Sequence, residues 1–150
     1  INNEARFLFL TFDRGTVQQF IGKYDLHNII VASASDEQLN GFYNAADIGI
    51  ALRTNDMVSY VSSPVKIPEY LATGNSVLLL EYIGDFGQEL RDKAYALVKK
   101  DKNALLSTTL PELMKLTRPG SQDLVDIREN YNIHNNIEAI TRIIKRMHEA

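Results

Sequence analysis

Hydrophobic positions along this chain fall into short continuous runs, separated by stretches in which they recur at helical spacing. The first run, residues 5–11, reads A-R-F-L-F-L-T. It is apolar on both strand faces and predicts a buried strand of a parallel sheet covered by helices. Gly15 opens a helical stretch that places Val17, Phe20 and Ile21 on one side. Residues 29–32 read as a second buried strand. Ser35 and Asp36 are good N-caps for a helix through Leu39, Phe42, Tyr43 and Ala46. Residues 47–52 form a third strand, and a polar loop covers 53–63. A short helix follows and ends before Gly74, a C′ glycine. Residues 76–81 (S-V-L-L-L-E) are a fourth strand. Beyond it the pattern predicts a helix over 85–92 and a short strand over 95–98. Thr108 or Thr109 then caps a helix carrying Leu110, Leu113 and Leu116. A helix over 122–130 follows, and Ile137, Ile140, Ile144 and Met147 mark an amphipathic C-terminal helix. Phe7, Phe9, Phe20 and Phe42 are candidate core residues.

Strands alternating with helices predict an α/β fold: a Rossmann-like parallel sheet with helices on both faces and right-handed crossovers. Ligands on such sheets bind beyond the carboxyl ends of the strands. The loops after Thr11, Ala32, Leu52 and Glu81 are therefore where chemistry is expected.

Composition narrows the class. The 150 residues are 45% hydrophobic and 23% charged, which excludes disordered, collagenous and disulfide-scaffold chains. The absence of cysteine excludes disulfides, thiolate zinc sites and a cysteine nucleophile. It suits a reducing compartment, and a cytoplasmic location is expected. No apolar run reaches the roughly 20 residues of a membrane helix, so membrane association is expected only through sequence outside this chain. The net charge is −3, and residues 1–60 carry four Lys/Arg against seven Asp/Glu. No basic stripe exists to neutralise phosphate backbones, so nucleic-acid binding is not expected. His27, His134 and His148 share no ligand-like spacing, and no metal site is expected. The chain opens Ile1-Asn2-Asn3, with neither an initiator methionine nor a signal-peptide pattern. A piece of a longer protein is expected.

The informative segment is residues 60–74, Y-V-S-S-P-V-K-I-P-E-Y-L-A-T-G. Pro64 and Pro68 both belong near a helix start, so the helix begins between them. Its N-terminal amides and dipole would face the ligand crevice and attract an anion. Ser62 and Ser63 add donors, and Lys66 adds a full charge. That constellation suits a diphosphate. With Lys66 on the helix, Glu69 and Tyr70 are its i+3 and i+4 neighbours. A carboxylate there can accept two charge-assisted bonds from vicinal hydroxyls. The same spacing also describes an ordinary helix cap and a surface ion pair.

The run from Tyr43 to Leu80, with Y-N-A-A-D-I-G-I-A-L followed by S-S-P-V-K-I-P-E-Y-L-A-T-G-N-S-V-L-L-L, resembles the C-terminal, nucleotide-sugar-binding domain of family 4 glycosyltransferases, which have the GT-B fold. Ser63, Pro64, Lys66, Glu69, Tyr70, Leu71, Ala72, Gly74 and Val77 match a common variant of that family's motif. More weakly, the resemblance runs from about Phe7 to the C-terminus, where Asn130-Tyr131-Asn132-Ile133 and an amphipathic helix fit the family's ending. It implies that the full-length protein is a hexosyltransferase, retaining and metal-independent. Its donor substrate would be a nucleotide diphosphate-sugar, with no further cofactor. Glu69 would contact the ribose, while Ser63 and Lys66 would lie beside the diphosphate. The loop holding Ser33 and Ser35 would cradle the nucleobase through backbone groups.

Departures from the family are equally specific. The commoner motif has a second glutamate eight positions earlier, where this chain has Val61; Asp56 is a candidate substitute. The family's glycine-rich turn is here Thr11-Phe12-Asp13-Arg14-Gly15, with Arg14 the nearest cation. The opening strand and helix of the family's domain, with their diphosphate-gripping cations, have no counterpart, and neither does the N-terminal acceptor domain. On this reading residues 1–150 are a partial donor-binding domain, inactive alone, whose partner is the N-terminal domain of the same protein. No catalytic residue is assigned. Two alternatives stand beside it: a sugar-nucleotide epimerase of the same architecture, and a non-catalytic α/β interaction domain. A signalling receiver domain is disfavoured, because Leu52-Arg53 supplies no phospho-acceptor aspartate after the third strand.

Overall fold

The computed structural model describes residues 5–132 together with 137–138, 141–142 and 144–145. The chain is an α/β protein with parallel strands flanked by helices, consistent with a Rossmann-like fold. It divides into two compact units, residues 1–42 and 43–150, and the strands form two hydrogen-bonded sheets.

The first unit holds β1 (Phe7–Leu10), α1 (Arg14–Lys23), β2 (Ile29–Ala32) and most of α2 (Asp36–Asn44). β1 and β2 pair in parallel, with Phe7 opposite Ile29 and Leu10 opposite Ala32. Asp13 starts α1 by accepting from the Thr16 N–H at 3.1 Å. Ser35 precedes α2, and its N–H donates to the Gln38 side chain at 3.1 Å, half of a capping box. The strand predicted over 5–11 is present, but it is not buried. Phe7, Phe9 and Phe20 are 42%, 46% and 52% exposed, so these three are not core, while Phe42 is half-buried. β1 has a single strand partner, and α1 packs against β2. A two-stranded sheet offers too little surface to enclose its own apolar side chains.

The second unit carries β3 (Ile48–Ala51), α3 (Met57–Val61), α4 (Lys66–Ala72), β4 (Ser76–Leu80), α5 (Phe86–Glu89), β5 (Ala96–Lys99), α6 (Lys102–Leu106), α7 (Leu110–Met114) and α8 (Ser121–Asn130). Its sheet is parallel in the order β3-β4-β5, with Gly49 opposite Val77 and Val77 opposite Ala96. All five residues of the central strand β4 are buried. Ile67 and Leu71 of α4, Val77 and Leu79 of β4, Phe86 of α5 and Ile127 of α8 join in one core. Each such side chain contributes roughly 1.5–3 kcal/mol by leaving water. α4 ends in a Schellman motif: the Gly74 N–H donates to Leu71 and the Asn75 N–H to Tyr70, with Gly74 at φ +80°. Thr109 and Glu112 form the capping box of α7.

Three short elements differ from the sequence pattern. The polar loop over 53–63 contains α3, nucleated by the Asp56 cap. Asp101 caps α6 in the same way, accepting from the Ala104 N–H at 2.9 Å. The helix predicted over 85–92 is a single turn. Of the predicted C-terminal helix, 137–138, 141–142 and 144–145 are helical. Ile140 and Met147 lie outside the described residues, as do Ile133, His134 and His148.

Candidate functional site

The segment singled out in the sequence lies at the carboxyl edge of the second sheet. Beyond β3, Asp56 turns the chain into α3: its carboxylate accepts from the Ser59 N–H at 2.8 Å and from the Thr54 hydroxyl. These bonds, that of Thr54 foremost, hold Asp56 below the usual carboxylate range. Asp56 therefore serves as a helix cap with its oxygens engaged. Ser62 closes α3, its N–H donating to the Val58 carbonyl at 2.9 Å and its hydroxyl to the Ser59 carbonyl at 3.3 Å. Just beyond β4, Gly84 abuts this turn and donates to the Ser59 carbonyl at 3.0 Å. Its φ is +49°, and a Cβ there would collide with the Ser62 carbonyl. Glycine is the residue that fits, and the contact anchors the Ser62-Ser63 turn to the end of β4.

α4 starts at Lys66, inside the interval the two prolines predict. Its N-cap is Val65, with no side-chain cap. Ser62 and Ser63 thus precede the helix without capping it. The Ile67 N–H donates to the Pro64 carbonyl at 3.2 Å, and Pro68 has no N–H, so two first-turn donors are withdrawn from any ligand. Lys66 and Glu69 are both exposed one turn apart, and among the described residues no ion pair joins them.

Glu69 has a partner that the sequence pattern does not reveal. The Tyr43 hydroxyl donates to Glu69 Oε2 at 3.2 Å. Burial, and then the Glu69 charge, pushes the Tyr43 phenol up to about 12, so it remains a donor. Tyr43 meets Tyr70 edge to face, with ring centroids 5.1 Å apart at 82°. The Tyr70 ring lies directly on Gly49 of β3, where any Cβ would overlap ring atoms. Asn75 fixes the other end: its Nδ2 donates to the Tyr43 carbonyl at 2.7 Å, while its buried Oδ1 has no partner among the described residues. Gly49, Tyr70 and Asn75 thus place Tyr43, and Tyr43 orients the Glu69 carboxylate. Tyr43 was legible only as an apolar helix position beside Leu39 and Phe42; its hydroxyl gave no signal.

A cavity of about 420 Å³ opens at the same edge. Asn55, Tyr60, Glu81, Tyr82, Gln88 and Lys100 contribute to its lining. They come from the loops after β3, β4 and β5, where an open α/β sheet binds ligands. Tyr60 and Tyr82 meet at 5.8 Å, the Tyr82 hydroxyl donates to the Arg53 carbonyl at 3.0 Å, and Arg91 pairs with Glu81. None of Ser62, Ser63, Lys66 and Glu69 lines this cavity, although Gly84 touches both it and Ser62. The aromatic pair and Lys100 were not anticipated, because their relation depends on how three separate loops converge.

Ser33 and Ser35 belong to the first unit. The Ser33 hydroxyl donates to the Thr11 carbonyl at 2.7 Å, tying together the loops that follow β1 and β2. The Ser35 hydroxyl donates to Glu37 at 2.7 Å. Arg14 donates to the Val31 carbonyl at 3.4 Å.

Among the described residues, no group of three His, Cys, Asp or Glu side chains could hold a metal ion. Nor is any helix among them long and apolar enough to cross a membrane. Comparison of the chain with protein-family models, curated proteins and solved structures finds no match.

Proposed function

We propose that this chain is the donor-binding half of a glycosyltransferase that moves a sugar from a nucleotide diphosphate-sugar, with retention and without a metal. One observation carries the reading. Glu69 stands exposed on α4, and Tyr43 holds one of its carboxylate oxygens. A carboxylate so oriented is prepared to accept hydrogen bonds from the vicinal hydroxyls of a ribose, at little further entropic cost. Lys66, one turn away, supplies the charge for a diphosphate, with the Ser62-Ser63 turn beside it. The acceptor and the reacting side chains would come from elsewhere in the full-length protein.

Calorimetric titration of the full-length protein with UDP, GDP and ADP tests the reading. At least one nucleotide should bind. Glu69→Ala should weaken it roughly 10- to 100-fold, the range for lost hydrogen bonds to a charged group. Lys66→Ala should weaken the diphosphate more than the corresponding nucleoside. Failure of all three nucleotides to bind at millimolar concentration would overturn the proposal.

A further inference from the structure

The cavity of about 420 Å³ at the carboxyl edge of the second sheet has a chemistry of its own. Part of its wall is aromatic. Tyr82 is 8% exposed and its hydroxyl is held by the Arg53 carbonyl, so its ring is fixed in place. Tyr60 of α3 is tilted against it at 39° and is 53% exposed, which leaves aromatic surface open beside the cavity. The polar wall offers hydrogen bonds of both senses. Asn55 and Gln88 carry amides and Lys100 an ammonium. All three are exposed, and Lys100 forms no ion pair among the described residues. Glu81 and Asp101 carry carboxylates, each with one oxygen committed: Glu81 Oε1 to Arg91, and Asp101 Oδ1 to the Ala104 N–H. Those bonds hold the two groups in place and leave the second oxygen of each for a ligand.

Charge decides the class of ligand. Lys100 and Arg91 balance Glu81 and Asp101, so an ionic ligand would meet a like charge on one side of the cavity. A neutral ligand rich in hydroxyls meets none. A hydroxyl donates to a carboxylate, accepts from an ammonium and does both with an amide, so each polar group of the wall can be satisfied. Its bonds to the charged groups are the stronger ones. The C–H face of a sugar ring can then cover Tyr60 and take apolar surface of both out of water. The volume falls within the range of about 300–1,000 Å³ common to small-molecule sites. We infer that the cavity binds a saccharide, with one pyranose ring stacked on Tyr60 and its hydroxyls on Asn55, Gln88, Lys100 and the two carboxylates. Ser62, Ser63, Lys66 and Glu69 lie outside this wall, so the site is independent of the nucleotide reading.

Calorimetry and saturation-transfer NMR of the full-length protein with the methyl glycosides of glucose, galactose and mannose test the inference. Sorbitol, which has the hydroxyls without a ring face, and phenylalanine, a zwitterion, are the controls. At least one glycoside should bind saturably without nucleotide, and neither control should. Tyr60→Ala should weaken that binding roughly tenfold, whereas Tyr60→Phe keeps the ring and should hold it within about threefold. Lys100→Met should weaken it roughly tenfold. Both side chains are exposed, so unchanged thermal melting should accompany each loss. Glu69→Ala should leave glycoside binding unchanged. Absence of saturable binding by all three glycosides up to about 50 mM overturns the inference. So does equal binding of sorbitol or phenylalanine, or an equal loss in Glu69→Ala and Tyr60→Ala.

Discussion

At the scale of single residues, the second unit is tuned by pairs in which one member fixes the charge state of the other. Lys99 donates to Glu112 at 2.8 Å, and the Thr109 N–H donates to the same carboxylate, also at 2.8 Å. The Lys99 bond foremost, then the Thr109 amide, lowers Glu112 from its ordinary 4.5 to about 2. A carboxylate whose pKa falls on folding contributes stability above its unfolded value and loses it as pH drops through the folded one. The contribution should therefore be complete above pH 4.5 and disappear on acidification toward about 2. Denaturant melts at steps across that window should show the parent protein converging on Glu112→Gln, which lacks the titration. A constant gap between the two proteins would remove the pair from the pH response. Tyr43 and Glu69 follow the same logic with the opposite sign: burial and the neighbouring charge keep a phenol protonated so that it can hold a carboxylate.

At the scale of elements, the position of Glu69 depends on how closely α4 approaches β3. The Tyr70 ring can lie on the strand only because position 49 is glycine. Gly49→Ala must displace that ring, and overpacking of this kind costs about 1–3 kcal/mol. Urea unfolding should register this loss. The displaced ring should also release Tyr43, so nucleotide binding should weaken beyond what the stability loss explains. Unchanged stability would mean that α4 shifts freely on the sheet. The helix itself was legible: two prolines and one glycine bracket it, and both of its ends fall where their chemistry requires. α3 and α6 were harder to read, although each follows an aspartate cap, because a five-residue helix presents too little apolar periodicity to stand out from a loop.

At the scale of the molecule, burial is uneven. Every residue of β4 is buried, whereas no described residue among the first 42 is. Local opening free energies follow buried apolar contact. Amides of β4 should therefore exchange with solvent most slowly, and those of β1 and β2 by opening well below the global stability. Hydrogen–deuterium exchange resolved by residue checks this. Equal protection in the two sheets would mean that the first unit is stabilised by contacts beyond its own two strands.

The sequence by itself determined the order of the strands along the chain, the parallel α/β class, the limits of α4 and the candidacy of Glu69 and Lys66. Those follow from local chemistry: apolar runs, a proline without an N–H, a glycine free to adopt positive φ. Only the tertiary structure decided which apolar strands were buried, since F-L-F-L and S-V-L-L-L read alike until the number of neighbouring strands is known. It alone joined Tyr43 to Glu69 across 26 residues. Hydrogen bonds and cavities depend on distances between side chains remote in sequence, and no local pattern carries those distances.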